Sequence, residues 1–271
     1  MAKDVLTFIK MNERSFTKTE KKIMNYILKN TDKVIYMTIT ELSDELKIGE
    51  GTIVRFCQKL GFSGFHPFKI ALAECFKPQF EYESDLISKC TNANIEIIRK
   101  TAEFLDKRSI DQAINIITKT DKLFILGVGA SGITAQDAFY KFMRIGINCV
   151  YSPDVHLLSM QLSLGTCEDS VLAISQSGST SSVVDMARMA KDKNMKVIAL
   201  TGYLKSPLTQ FADIVLLTPT RETPFQSGAI RSKIAQLHVI EILFEGLCIK
   251  LQEKAEKSIR ITADSVSKWI Y

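Results

Sequence analysis

Five short β-rich apolar runs limit most strongly what this chain can become. Leu123-Phe124-Ile125-Leu126, Asn148-Cys149-Val150-Tyr151, Val171-Leu172-Ala173-Ile174, Val197-Ile198-Ala199-Leu200 and Ile214-Val215-Leu216-Leu217 recur along the second half. Their spacing is about 20 to 25 residues, with helical patterns between them. That alternation predicts an α/β domain: a doubly wound parallel sheet wrapped by helices. In such sheets ligands sit beyond the carboxyl ends of the strands, so the loops after each strand are the places to search.

Upstream of residue 80 the pattern is different. Residues 15–77 read as helices with short turns. Thr17 with Glu20 forms a capping box ahead of Ile23, Met24, Ile27 and Leu28 on one face, and Thr38 with Glu41 forms a second ahead of Leu42 and Leu46. After the turn Lys47-Ile48-Gly49, a third helix places Ile53, Phe56, Cys57 and Leu60 on one side and ends at Gly61. Two short helices joined by a tight turn predict an all-α helix-turn-helix, whose second helix offers Glu50, Thr52, Arg55, Gln58 and Lys59 to DNA. Lys69, after Gly61-Phe62-Ser63-Gly64-Phe65, is a further candidate for a DNA phosphate, while both Phe are expected to pack in the core. On spacing alone, a small helical interaction domain with a solvated polar face fits equally well. Charge favours DNA: residues 1–80 hold 13 basic and 9 acidic side chains, +4 of the chain's net +5.

Residues 84–119 are expected to be helical throughout, as a connector whose apolar stripe is too rich for a flexible linker. The predicted division is therefore 1–80 for the helix-turn-helix domain, 81–119 for the connector and 120–271 for the sheet domain. Its last helices, from about 229 to 255 and 256 to 270, carry Ile234, Leu237, Ile240, Ile242, Leu243, Phe244, Leu247 and Leu251. Part of that surface is assigned to a homodimer or higher homo-oligomer interface. Trp269 and Tyr271 are candidates to anchor the tail.

Two loops of the sheet domain are distinctive. Gly127-Val128-Gly129-Ala130-Ser131-Gly132 follows the first strand, and Ser175-Gln176-Ser177-Gly178-Ser179-Thr180 follows the third. Each opens a helix, whose unpaired N–H groups and dipole favour an anion. In the second, Ser175, Ser177 and Thr180 can donate to phosphate oxygens while the Gly178 backbone approaches closely, which suits a phosphomonoester. One alternative is a dinucleotide site using the G-x-G-x-x-G with Asp154 on a ribose, but it leaves the second loop without a purpose. Another is that the hydroxyls merely cap the helix.

Residues 122 to about 250 resemble a sugar isomerase (SIS) domain, on Gly127, Gly129, Ser131 and Ser175 to Thr180. Residues 52–65, Thr-Ile-Val-Arg-Phe-Cys-Gln-Lys-Leu-Gly-Phe-Ser-Gly-Phe, with Phe68-Lys69, resemble the helix-turn-helix of the RpiR family of bacterial regulators. The resemblance implies a transcriptional regulator, a repressor of a sugar or amino-sugar catabolic operon, with double-stranded operator DNA and a sugar phosphate as partners. Within the family the likeness is to regulators of sialic acid catabolism, which implies N-acetylmannosamine 6-phosphate as effector. The chain departs from the family at Gly49, where Ser is frequent, and at Lys233, where Ser232-Lys233-Ile234-Ala235-Gln236-Leu237 has Lys for Arg.

The expected ligand-binding set is Gly129, Ser131, Ser175, Gln176, Ser177, Gly178 and Thr180, with His156, Lys233 and Glu222 from neighbouring loops. Sugar-phosphate isomerisation is the alternative activity, since His156 and Glu222 can supply an acid and a base. Phosphate binding needs only the loops, so a sensor without catalytic residues is preferred. No cofactor is called for. Six widely spaced Cys, without C-x-x-C and without His at zinc spacing, argue against a metal site and read as reduced, mostly buried thiols. No run reaches the ~20 apolar residues of a membrane span, and the charged start lacks a signal peptide's apolar stretch, so a cytoplasmic protein is expected.

Overall fold

The computed structural model describes residues 5–74, 85–219, 230–267 and 269. The chain forms two compact units, one built on residues up to Lys89 and one on Cys90–Thr220 with Ile230–Tyr271.

The first unit is all helical: α1 (Val5–Met11), α2 (Lys18–Lys29), α3 (Thr31–Val34), α4 (Ile39–Leu46), α5 (Glu50–Lys59) and α6 (Phe65–Ala73). Both capping boxes form. Thr17 Oγ1 accepts from the Glu20 N–H at 3.2 Å, and the Thr17 N–H donates to Glu20 Oε2 at 2.7 Å. Thr38 and Glu41 repeat this at 3.0 and 2.8 Å. The turn between α4 and α5 places Lys47 at φ 53°, and Ser43 clamps it by donating from Oγ to the Ile48 carbonyl at 2.7 Å. Gly61, at φ +84°, ends α5 in a conformation that other residues adopt only with strain. The core gathers Ile23, Ile27, Leu42, Ile53, Phe56, Phe65, Phe68 and Leu72. Phe56 packs on Phe16 at 5.2 Å, and Phe62 on Phe68 at 5.4 Å, so the glycine-flanked phenylalanines serve packing as expected.

The second unit contains α7 (Leu86–Phe104, which begins in the first unit), α8 (Lys107–Lys119), β1 (Leu123–Gly127), α9 (Ala130–Arg144), β2 (Cys149–Val150), α10 (Val155–Ser163), β3 (Ser170–Ile174), α11 (Ser181–Asp192), β4 (Lys196–Thr201), β5 (Ile214–Leu217), α12 (Ile230–Leu251) and α13 (Glu253–Ser267). The strands form one sheet in the order β2-β1-β3-β4-β5, all neighbours parallel. Alternation assigns the two faces. Leu123, Ile125, Leu172, Ile174, Ile198 and Leu200 pack with α8, α9, α12 and α13. Phe124, Leu126, Val171, Ala173, Val197 and Ala199 pack with α10 and α11. This is the three-layer arrangement expected of continuous apolar strands.

Four expectations need correction. The helix over 84–119 breaks at Leu105-Asp106, because Asp106 caps α8 by accepting from the Ser109 N–H at 2.9 Å. Ile110, Ala113, Ile114 and Ile117 then place α8 in the core of the sheet unit. In α12, Ile240, Leu243 and Leu247 are fully buried in that core and Ile242, Phe244 and Leu251 pack on it, so more of this apolar surface is covered within the unit than the sheet alone was expected to cover. The thiols are not mostly buried: among the described ones Cys57 is buried, Cys149 and Cys248 are half-buried, and Cys90 and Cys167 are exposed. Trp269 is 71% exposed and so does not anchor the tail by burial, while Tyr271 lies outside the described residues.

Candidate functional site

The two glycine-containing loops emerge side by side. Gly127, the last residue of β1, is in register with Ile174, the last of β3. Chain order reverses direction between these strands, which makes the gap beyond their carboxyl ends the switch point where open α/β sheets bind ligands.

Glycine is needed at specific places. A Cβ on Gly127 would lie 2.6 Å from the Ser131 carbonyl oxygen, so α9 could not approach β1 as it does. Gly178 has φ +59°, and a Cβ there would collide with the Ser206 side chain. The second loop is pinned from below: the Gly202 N–H donates to the Gln176 carbonyl at 3.0 Å and the Leu208 N–H to the Gly178 carbonyl at 2.9 Å.

Helix starts divide into two kinds. Thr17, Thr38, Asp106 and Asp154 cap α2, α4, α8 and α10 with their own side chains. The N-cap positions of α3, α5 and α6 make no side-chain cap bond, and neither do those of α9 and α11, Gly129 and Thr180. Thr180 instead holds its Oγ1 3.2 Å from Ser175 Oγ. The hydroxyls therefore do not simply cap the helix. They stand around N–H groups without a side-chain partner, an arrangement that accepts a compact anion. Ser177 Oγ accepts from the Ser179 N–H at 3.2 Å, which leaves its proton to donate.

A polar network joins the loops beneath this opening. Gln236 of α12 is 1% exposed. Its Nε2 donates to Ser131 Oγ at 3.3 Å and to Gln176 Oε1 at 3.2 Å, while its Oε1 accepts from Thr134 Oγ1 at 3.0 Å. Gln176 also exchanges bonds with Thr218, accepting from Oγ1 at 3.0 Å and donating to the carbonyl at 3.3 Å. Expected as a ligand contact, Gln176 is a brace: its amide points at protein partners and packs against the open face of Gly202.

The neighbouring candidates fare differently. Lys233 is half-buried in the first turn of α12, three residues before Gln236 and so on the same helix face. His156 is exposed in the first turn of α10, and among the described residues its side chain makes no hydrogen bond to either loop. Glu222 lies outside the described residues. Asp154 is committed as the cap of α10, accepting from the His156 N–H at 2.8 Å and the Leu157 N–H at 3.2 Å, which removes the acid required by a dinucleotide site. Sequence reasoning missed Thr134, Thr218 and Ser206 and quoted Gln236 only as part of a motif. A Gln among the buried apolar residues Ala235, Val239 and Ile240 of α12 was the available signal, since burial obliges a carboxamide to find partners.

A separate cavity of about 620 Å³ opens at the opposite edge of the sheet, beside Asn115, Lys119, Lys196 and Asp213. Asp213 is held there by Lys191 at 2.9 Å and by the Val197 N–H at 2.8 Å. Those bonds keep its carboxyl below the usual range against the opposing effect of burial. Among the described residues no group of three or more His, Cys, Asp or Glu is placed to hold a metal ion, and no helix is long and apolar enough to cross a membrane.

In the helical unit, α5 presents Arg55 and Gln58 to solvent, with Thr52 half-exposed and accepting from Arg55 Nη2 at 3.2 Å. Its N-cap, Gly49, makes no side-chain cap bond. Glu50 and Lys59 have structural work. Glu50 accepts from Thr40 Oγ1 at 2.6 Å, and Lys59 donates to the Ser15 carbonyl at 2.7 Å and to Glu20 at 2.9 Å. Lys69 is not a surface phosphate contact. Its ammonium is buried, donates to the Met37 carbonyl at 3.0 Å, and has its pKa pushed down to about 8 by desolvation, with Glu41 opposing.

The fold and its loops define a helix-turn-helix regulator carrying an SIS domain. The helix-turn-helix domain of the rpiR family matches residues 3–79, and the SIS domain matches residues 116–246. An HTH-type transcriptional regulator of Caldanaerobacter subterraneus subsp. tengcongensis is 37% identical over 254 residues, 89% of each chain. HTH-type transcriptional regulator HexR of Escherichia coli is 28% identical over 98% of this chain and 95% of its own. Among solved structures, the Vibrio vulnificus NanR protein complexed with ManNAc-6P superposes with a TM-score of 0.89 at 27% identity, covering 98% of this chain and 99% of that one. The chain belongs to the RpiR family of HTH-type transcriptional regulators, and is a regulator rather than an enzyme.

Proposed function

We propose that this regulator senses a phosphorylated amino sugar, N-acetylmannosamine 6-phosphate, and represses a sugar or amino-sugar catabolic operon by releasing its operator when the ligand binds. The observation that carries the reading is the pair of uncapped helix starts, at Gly129 and Thr180, side by side at the switch point and lined by Ser131, Ser175, Ser177 and Thr180. The ligand of the Vibrio NanR protein, a sugar phosphate, supports the same chemistry. In this reading Ser175, Ser177, Thr180 and the Gly178 backbone take the phosphate. Ser131 and Gly129 approach the sugar, and Lys233 supplies a cation from α12.

DNA is read by Arg55, Gln58 and Thr52 of α5, working in the cytoplasm on double-stranded operator. Exposed Ile133 and Tyr140 on α9, Ile249 on α12 and Ile261 on α13 support a homodimer built on that side of the sheet. Paired recognition helices would then meet half-sites about 34 Å apart, or a multiple of it. A thermal-shift panel of sugar 6-phosphates on the full-length protein tests the effector. N-acetylmannosamine 6-phosphate should raise Tm progressively with concentration and more than its isomers do. A flat response across the panel overturns the sensor reading.

A further inference from the structure

Two carboxamides, Gln236 and Gln176, hold the two loops together, and neither is among the hydroxyls assigned to the phosphate. Gln236 ties α12 to two elements with one planar group: Ser131 and Thr134, both in the first turns of α9, and Gln176 in the loop after β3. It is flanked in α12 by Ala235, Val239 and Ile240, all fully buried, so its donors and acceptor face only these partners. In such surroundings an unpaired amide is costly, and the network holds one arrangement firmly. Because Ser131 Oγ accepts from Gln236, its own proton is left to donate to another group.

We propose that Gln236 is a positioning residue that fixes the spacing of the two loops and so sets which phosphorylated ligands the site accepts; this rests on the phosphosugar reading above. A ligand held by the second loop alone does not need that spacing. A phosphosugar reaching from Ser177 to Ser131 does. Thr218 extends the brace: it fastens Gln176 to the end of β5, so strand, loop and α12 share one hydrogen-bonded unit.

The test is titration calorimetry on the full-length protein with two probes, inorganic phosphate and N-acetylmannosamine 6-phosphate. Gln236→Met keeps length and apolar packing but removes both donors and the acceptor. It should weaken the sugar phosphate about tenfold, or about 1.4 kcal/mol, and inorganic phosphate by less than about threefold. Gln236→Glu should weaken the sugar phosphate further, because a carboxylate oxygen would face Gln176 Oε1 where an N–H stood. Equal weakening of both probes, or none, overturns the proposal, since a merely structural residue has no reason to separate them. Should Gln236→Met fail to fold, Thr134→Val removes the donor to Gln236 Oε1 and must give the same selective loss. Wild-type protein that binds neither probe overturns the phosphosugar reading itself. Wild-type binding with unchanged selectivity in the variants leaves that reading standing and removes Gln236 from it.

Discussion

In the proposed reading, the two units would meet phosphate by different physics. The helical unit uses charge and reach: Arg55 and Gln58 stand in solvent on α5, in a segment that carries most of the chain's positive excess. The sheet unit uses almost no charge. Its loops, Gly127–Gly132 and Ser175–Thr180, contain no ionisable side chain, and their favourable potential comes from hydroxyls, N–H groups and helix ends. On that reading, net charge marks only one kind of anion site. It also predicts contrasting salt behaviour. Operator binding should fall steeply between about 50 and 200 mM salt as counterions are released. Sugar-phosphate binding should fall far less, and comparable slopes would break the comparison.

Substitutions sharpen it further. The largest effect is expected from Gly178→Val, which needs a strained φ and a collision with Ser206. Phosphosugar affinity should be lost, with stability lowered by about 1–3 kcal/mol in denaturant melts, while a normal calorimetric titration would show that the loop tolerates side chains.

Lys69→Met separates structural charge from DNA-binding charge. Folded Lys69 releases its proton near pH 8, against the ordinary 10.5, so the unfolded chain binds more protons between those values. Stability should therefore rise with pH through that window, by at most on the order of 3 kcal/mol, and the rise should vanish in Lys69→Met. The salt dependence of operator binding should stay unchanged in that variant, and a smaller slope would return Lys69 to the DNA interface.

Arg55→Ala should cost about 1–3 kcal/mol of operator affinity in gel-shift titrations and leave sugar-phosphate affinity alone. Loss of both would indicate a folding defect. The smallest effect belongs to Thr38→Ala, about 1 kcal/mol of helical-unit stability from the lost capping box, measured by chemical denaturation.

Much of this architecture was legible because it rests on local rules. Both capping boxes, the Gly61 stop and all five strands follow from short patterns with direct physical meaning. So does the pairing of the two loops, once parallel strands place β1 beside β3. What escaped depends on contacts distant in sequence. Nothing near Lys69 announces that the Met37 carbonyl will accept its hydrogen bond, nor near Lys59 that Ser15 and Glu20 will claim its ammonium. Gln176 read as a ligand contact because it sits among the loop's hydroxyls, whereas its partners come from residues 42 and 60 positions away. Periodicity also missed the break at Asp106, where a single cap outweighs a continuous apolar stripe.

In the proposed function the loop at Ser175–Thr180 takes a phosphosugar and thereby controls the DNA-binding helices. Ser177→Ala tests it most directly, in operator titrations of wild-type and variant protein with and without N-acetylmannosamine 6-phosphate. Wild-type affinity should drop on adding ligand, by about 5- to 150-fold for a typical coupling between sites. The variant should bind operator with the wild-type affinity and show no response. A full ligand response in Ser177→Ala would contradict the account.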